Sequence, residues 1–297
     1  MNKTDPAAAG LDIVALMPAL FVLIWSTGFV VARLGMPHAP PITFLCWRYA
    51  FSLLGLAAWA FWARASWPSS RQGWGHLAVT GVLLQAGYLG GVWSAVKLGL
   101  SAGTTALIVC LQPVLTAIFL EWHGGRGRVR PVQWLGLACG LAGVLVVVWD
   151  KLGLGEANAL NLGLALLALL SITAGTLYQK LNVGPMDVRT AGVVQMGAAL
   201  LVSLPLALME QEPAVWHPEM VVAMAWSVLA LTMGASSLLY LLIQRGAAMK
   251  VASLFYLVPP CTAVMAWALF GEPLSWGLLA GLLLAALGVA LVQRSGS

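Results

Sequence analysis

Charge is scarce in this chain. Of its 297 residues only 8% are Asp, Glu, Lys or Arg, 61% are hydrophobic, and the mean hydropathy is +0.91. An ordinary soluble domain carries about a quarter charged residues, so the composition excludes a water-soluble globule and calls for a lipid environment. Acids are scarcest, and none falls in the middle of an apolar stretch: Asp12, Glu121, Asp150, Asp187 and Glu272 all lie at stretch ends. That absence argues against a proton relay through buried carboxylates. Cys46, Cys110, Cys139 and Cys261 sit inside apolar stretches without CxxC spacing and read as packing residues. His38, His76, His123 and His217 stand in loops or at stretch ends, and HExxH, GxSxG and facing deep acids are all missing. No catalytic residue, no metal, no cofactor and no enzymatic activity is therefore expected. The formal charge of +5 is not gathered on a basic, aromatic-studded surface, which excludes a nucleic-acid partner.

What the chain does have is ten apolar stretches, near 12–33, 40–63, 74–95, 103–120, 131–149, 161–180, 187–209, 219–242, 251–270 and 274–293. At about 1.5 Å per residue, roughly 20 apolar residues cross a hydrocarbon core of about 30 Å. The first stretch reads as a retained helix rather than a cleaved signal peptide. With the N-terminus cytoplasmic, eleven Lys and Arg collect on the inner side, against Arg33, Lys97 and Lys151 outside. The positive-inside rule then places both termini of this multi-pass chain in the cytoplasm, in the cell's inner membrane.

The ten stretches form two sets of five. Trp25-Ser26-Thr27-Gly28-Phe29 is echoed by Ser171-Ile172-Thr173-Ala174-Gly175, and Leu111-Gln112-Pro113 by Leu257-Val258-Pro259, both at an offset of 146 residues. Gly136, Gly140 and Gly143 in the fifth stretch are echoed by Gly281 and Gly288 in the tenth. The expected organisation is all-α, with ten transmembrane helices in two repeats, residues 1–155 and 156–297. Because five is odd, the second repeat enters the membrane from the opposite side, so the repeats are inverted around a central cavity that works by alternating access.

Polar side chains deep in apolar stretches mark that cavity, since an unpaired polar group in hydrocarbon costs several kcal/mol. The candidates are Trp25, Ser26 and Thr27 in the first helix, Gln85 and Tyr88 in the third, and Gln112 in the fourth. The sixth supplies Ser171 and Thr173, the eighth Ser237, Tyr240 and Gln244, and the ninth Tyr256. Gln85 and Tyr88 are three apart, and Ser237, Tyr240 and Gln244 follow i, i+3, i+7, so each set shares a helix face. The competing reading of each Ser and Thr is a hydrogen bond to its own i−4 carbonyl. A lining of amides, hydroxyls and rings suits a small zwitterionic, partly apolar solute such as an aromatic amino acid.

Arg48 lies seven residues past Pro41, about 10 Å into its span. It is either a contact for a substrate carboxylate or a snorkelling side chain. Pro113 and Pro259-Pro260 remove backbone donors, so their helices should kink, as gating hinges or as static bends. The glycine spacing of the fifth and tenth stretches suits close helix packing within a monomer rather than dimerisation. Trp62, Trp67, Trp74, Trp134, Trp216 and Trp276, near stretch ends, read as interfacial anchors.

These motifs resemble the drug/metabolite transporter superfamily and its EamA-type members with two five-helix repeats. The resemblance rests on Trp25 to Phe29, on Pro41 followed by Arg48, on Pro113 and Pro259, and on Gly271-Glu272-Pro273. Within the family, length, ten spans and Trp and Met content are most similar to the YddG-type aromatic amino acid exporters. Gly124-Gly125-Arg126-Gly127-Arg128 departs from the family's Gly-Glu turn. The resemblance implies a secondary transporter exporting aromatic and other hydrophobic amino acids or related metabolites across the lipid bilayer. A broad-specificity drug or metabolite exporter is the alternative.

Overall fold

The computed structural model describes residues 13–112, 114–116, 119, 131–153, 155–235, 238 and 257–294. The expectations that fall on Pro113, Ser237, Tyr240, Gln244 and Tyr256 lie outside the described residues. All regular structure among the described residues is helical, as a bilayer requires of a chain that must satisfy every backbone group internally.

The helices are α1 (Ile13–Gly35), α2 (Pro41–Trp62), α3 (Arg71–Gly81), α4 (Tyr88–Lys97), α5 (Ala102–Val109) and α6 (Pro131–Gly153). They continue with α7 (Ala159–Asn182), α8 (Val188–Ala207), α9 (Pro218–Trp226), α10 (Val258–Phe270) and α11 (Trp276–Arg294). Local chemistry sets their ends. Ser70 and Ser101 accept from Gly73 N and Thr104 N at the starts of α3 and α5, and Asn158 with Asn161 forms a reciprocal cap on α7. Proline stands in the first turn of α2, α9 and α10, where its missing N–H would have no partner anyway. Gly271, at φ +66°, ends α10 in the left-handed conformation that only glycine adopts without strain.

Among the described residues seven helices are long and apolar enough to cross a membrane: Met17–Gly35, Pro41–Trp62, Arg71–Lys97, Trp134–Gly153, Ala159–Asn182, Val188–Ala207 and Pro218–Ala235. They answer to the first, second, third, fifth, sixth, seventh and eighth expected spans. The fourth, ninth and tenth fall on shorter apolar helices, Ala102–Thr116, Val258–Phe270 and Trp276–Gly288.

Two of the long helices are not α-helical throughout. Val82–Gly87 joins α3 to α4 as a π-helix, and Ser227–Ala235 continues α9 in the same way. Shifted by 146 residues, 82–87 falls on 228–233, inside the second π-helical stretch.

α6 and α11 make the most extensive pairing, α2 packs on α8, α4 on α7, and α10 on both α1 and α5. Glycine makes the α6–α11 approach possible. A methyl group on Gly143 would lie 2.6 Å from the Gly281 carbonyl oxygen, and Gly288 faces Gly136 and Gly140 equally closely. The glycine stripes thus face each other inside one chain. The core beside α1, α2 and α4 is built on Phe44, Tyr49 and Trp93, with Phe44 and Trp93 stacked at 4.5 Å.

One end of the bundle is closed by polar contacts. The Glu210 carboxylate accepts from Ile42 N (3.0 Å), Thr43 N (2.7 Å) and Thr43 Oγ1 (2.8 Å), capping α2 where its dipole favours an anion. Beside it Lys97 pairs with Glu212 at 2.6 Å, and Val215 N donates to the His38 carbonyl at 2.8 Å. Trp62, Trp134 and Trp276 are exposed at helix ends, the positions of interfacial anchors.

Candidate functional site

A cavity of about 40 Å³ lies where α1, α4, α5, α7 and α10 converge, five of the six helices expected to surround it. α1 contributes Trp25 and Phe29, one turn apart, and α4 contributes Tyr88. Ala106 and Val109 of α5, with Cys110 and Gln112 just beyond, form a second wall; Ile172, Val258 and Pro259 close the third. At roughly 10–15 Å³ per water such a space holds about three waters, whereas pockets for small ligands start near 300 Å³. A solute of amino-acid size does not fit this space as it stands.

Four of the expected residues, Trp25, Tyr88, Gln112 and Pro259, come together on this wall. Gln112 Nε2 donates to Thr176 Oγ1 at 3.0 Å, a polar bridge from the first half of the chain to the second. The small hydroxyls are placed differently from the expectation. Ser26 Oγ donates to Val22 O at 2.7 Å and reaches Val258 O at 3.4 Å, while its own carbonyl accepts from Thr262 Oγ1, so it stitches α1 to α10. Thr27 bonds back to Ile24 O and receives the Trp226 indole N–H at 2.8 Å. Thr173 donates to Leu169 O at 2.6 Å, the i−4 bond that competes with any outward role. Ser171 is buried against Gly87, where an added methyl would lie 2.6 Å from its hydroxyl.

Gln85 also departs from expectation. The three-residue spacing to Tyr88 assumes an α-helix, but Gln85 lies in the π-helical stretch, whose wider turn breaks that phase, and only Tyr88 reaches the cavity. The Gln85 carbonyl accepts the Tyr49 hydroxyl at 2.7 Å. Pro259 and Pro260 occupy the first turn of α10, and residues 239–256 before them lie outside the described ones. The apolar lining, Phe29, Ala106, Val109 and Ile172, carries no polar signal; only Phe29, four residues from Trp25, and Val109, three from Gln112, have a spacing that could have marked them.

Arg48 does not snorkel. Its side chain is buried at 6% exposure, its Nη2 lies a long 3.5 Å from Thr232 Oγ1, and its Nε has no partner. No carboxylate among the described residues lies within ion-pair reach of it. Among the described residues two further buried polar side-chain atoms lack partners, Ser52 Oγ and Ser227 Oγ. Ser52 is one turn from Arg48 on α2, and the Ser227 carbonyl accepts the Thr232 hydroxyl at 3.0 Å. Tyr49, next to Arg48, bonds the Gln85 carbonyl three residues before Tyr88, and α2 packs on the helix that brings Tyr88 to the cavity wall.

His38, His217 and Glu219 gather within 4.8 Å at the closed end of the bundle. They are engaged with one another: the imidazoles stack at 4.3 Å and His38 Nε2 bonds Glu219 at 2.7 Å.

The chain belongs to the EamA-like transporter family, whose sequence model matches residues 12–149 and 160–294. It is thus a multi-helical membrane protein of a transporter family. It is 28% identical over 289 residues to an uncharacterized transporter of Bacillus subtilis, YvbV, covering 94% of this chain and 91% of that one. It is 27% identical to the uncharacterized inner membrane transporter YedA of Escherichia coli K12, over 89% of this chain and 86% of that one. A probable amino-acid metabolite efflux pump of Salmonella typhimurium is 27% identical over 280 residues, 91% of each chain. A solved crystal structure matches with a TM-score of 0.62 over 97% of this chain and 100% of its own, at 20% identity, a likeness of fold.

Proposed function

We propose that this chain is an inner-membrane exporter of small zwitterionic metabolites, aromatic and other hydrophobic amino acids foremost, and that it works by alternating access. The observation that carries this reading is the cavity lining. Rings from Trp25, Phe29 and Tyr88 face an amide, Gln112, and among the described residues no charged side chain stands on the wall. Such a surface offers stacking and neutral hydrogen-bonding groups, which suits a flat apolar side chain on a solute without net charge. Among the described residues it has no acid to pair with a cationic drug. The efflux pump and YedA relatives support amino-acid-like cargo and the inner membrane.

The moving parts are two repeats, residues 1–155 and 156–297, inverted with respect to each other, both termini being cytoplasmic. Two observations support an internal symmetry. The helix pairings map onto themselves when the halves are exchanged, α2 with α8, α6 with α11, and α4–α7 with α1–α9. The π-helical stretches occupy equivalent positions in the two halves, and such stretches recur at functional sites. Pro113 and Pro259 are further bending points. Pro259→Ala should slow exchange with folding intact, and unchanged exchange would remove it from the mechanism.

The test is release of radiolabelled tryptophan, phenylalanine, threonine or a cationic dye from loaded proteoliposomes. Selective release of the aromatic amino acids is expected. Release of the dye alone would replace this reading by that of a drug exporter.

A further inference from the structure

We infer that Arg48, with Ser52, Ser227 and Thr232, forms a subsite for the carboxylate of the transported solute; this rests on the proposed function and extends it. A guanidinium cannot shed its charge and offers five N–H donors. Buried at 6% exposure, Arg48 has one long contact, to Thr232 Oγ1 at 3.5 Å, and an Nε with no partner. A buried charge is tolerated when it is paired, and a guanidinium is matched best by a planar anion that takes two parallel N–H bonds. No acid among the described residues supplies that anion, while two further unpartnered hydroxyls, Ser52 Oγ and Ser227 Oγ, stand in the same patch.

The placement separates the two ends of a substrate. Tyr88 is on the cavity wall, and Tyr49, next to Arg48, bonds the Gln85 carbonyl three residues before it, so a solute whose ring lies against Trp25, Phe29 and Tyr88 turns its polar end toward α2. Thr232 lies in the second π-helical stretch, and Tyr49, beside Arg48, holds the Gln85 carbonyl of the first. Neighbouring residues of α2 therefore touch both irregular stretches. An anion on Arg48 shortens or replaces the contact to Thr232, which couples occupancy to the shape of that stretch.

The experiment compares phenylalanine with phenylalaninamide, which keeps the ring and the amine but carries no carboxylate. The purified full chain is followed by thermal unfolding with each compound, and proteoliposomes by transport. Phenylalanine should stabilise the native protein and the amide should not. Arg48→Gln should lower phenylalanine transport by about a hundredfold and abolish the preference for acid over amide. Ser52→Ala, which keeps the charge, should weaken that preference by about fivefold. Equal response of the native protein to acid and amide would overturn the subsite, whether or not the Arg48 variant folds. So would an Arg48→Gln protein that retains the preference. Stabilisation by phenylalanine through Arg48 without any transport would leave the subsite standing and refute the exporter reading.

Discussion

Two cations are buried among the described residues, and they are treated in opposite ways. Lys151, in the last turn of α6, is 1% exposed, and its ammonium lies 2.7 Å from the Glu156 carboxylate. The chain folds back to make that contact, with Glu156 N donating to the Lys151 carbonyl at 3.0 Å. A cation there also sits at the favourable end of the helix dipole. Arg48 is nearly as buried, lies well inside α2, and has no carboxylate among the described residues. The partner of Lys151 is five residues away in sequence; the partner of Arg48 is not in the described protein. Pairing, rather than burial, separates a charge that holds the fold from one left available to a solute.

The sharpest way to break this contrast is to remove each charge relationship and watch stability and transport separately. Arg48→Gln should cost about a hundredfold in transport, equivalent to about 2.7 kcal/mol, while the melting temperature holds or rises. Replacing an unpaired buried charge by a neutral group removes a desolvation penalty. Glu156→Gln should do the reverse. It strands the Lys151 ammonium, and since Glu156 is 31% exposed the loss should be about 2 kcal/mol, below the 3–5 kcal/mol of a fully enclosed pair. Transport per folded protein should not change. A Glu156→Gln protein as stable as the native one would end the argument that Lys151 is held by pairing.

A smaller effect is expected at the neutral bridge. Gln112→Ala removes the 3.0 Å bond to Thr176 and an amide on the cavity wall. A hydrogen bond of this kind contributes about 1 kcal/mol net, so aromatic amino acid transport should fall about fivefold. Dye release, if any, should not respond. An unaltered rate would place Gln112 outside the substrate path.

Helices and glycine stripes were legible in the sequence because each depends on neighbours a few residues away. Gly143 and Gly281 carry their spacing on their own helices. The cavity was legible where a residue was both large and polar, as at Trp25, Tyr88 and Gln112. At Ser26, Thr27 and Thr173 the competing reading applies instead, each small hydroxyl bonding a carbonyl of its own helix. Gln85 failed for another reason: a π-helical turn changes the phase on which helix-face reasoning depends, and nothing in Val82–Gly87 advertises it. Neither does any spacing join His38 to His217, which meet through a fold that brings two distant loops together.

The smallest expected effect tests whether charges at helix ends act on stability alone. Asp187 caps α8 through Arg189 N at 2.9 Å and takes two bonds from the Arg189 side chain, at 2.9 Å to Nε and 2.6 Å to Nη2. These bonds, the side-chain ones foremost, hold the Asp187 carboxyl below its usual range. A depressed carboxyl contributes stability that is complete above the unfolded value of about 3.9 and is lost as pH falls through the lower folded value. Asp187→Asn keeps a side-chain oxygen for the cap and removes the charge, so it isolates the ion pair. Because the pair is partly solvated, the difference in stability should stay under about 1 kcal/mol at neutral pH. It should begin to shrink below about pH 4. Transport should be the same for both proteins. A difference that persists undiminished in acid would assign the effect to cap geometry rather than charge, and any loss of transport would show that a charge at a helix end can reach the cavity after all.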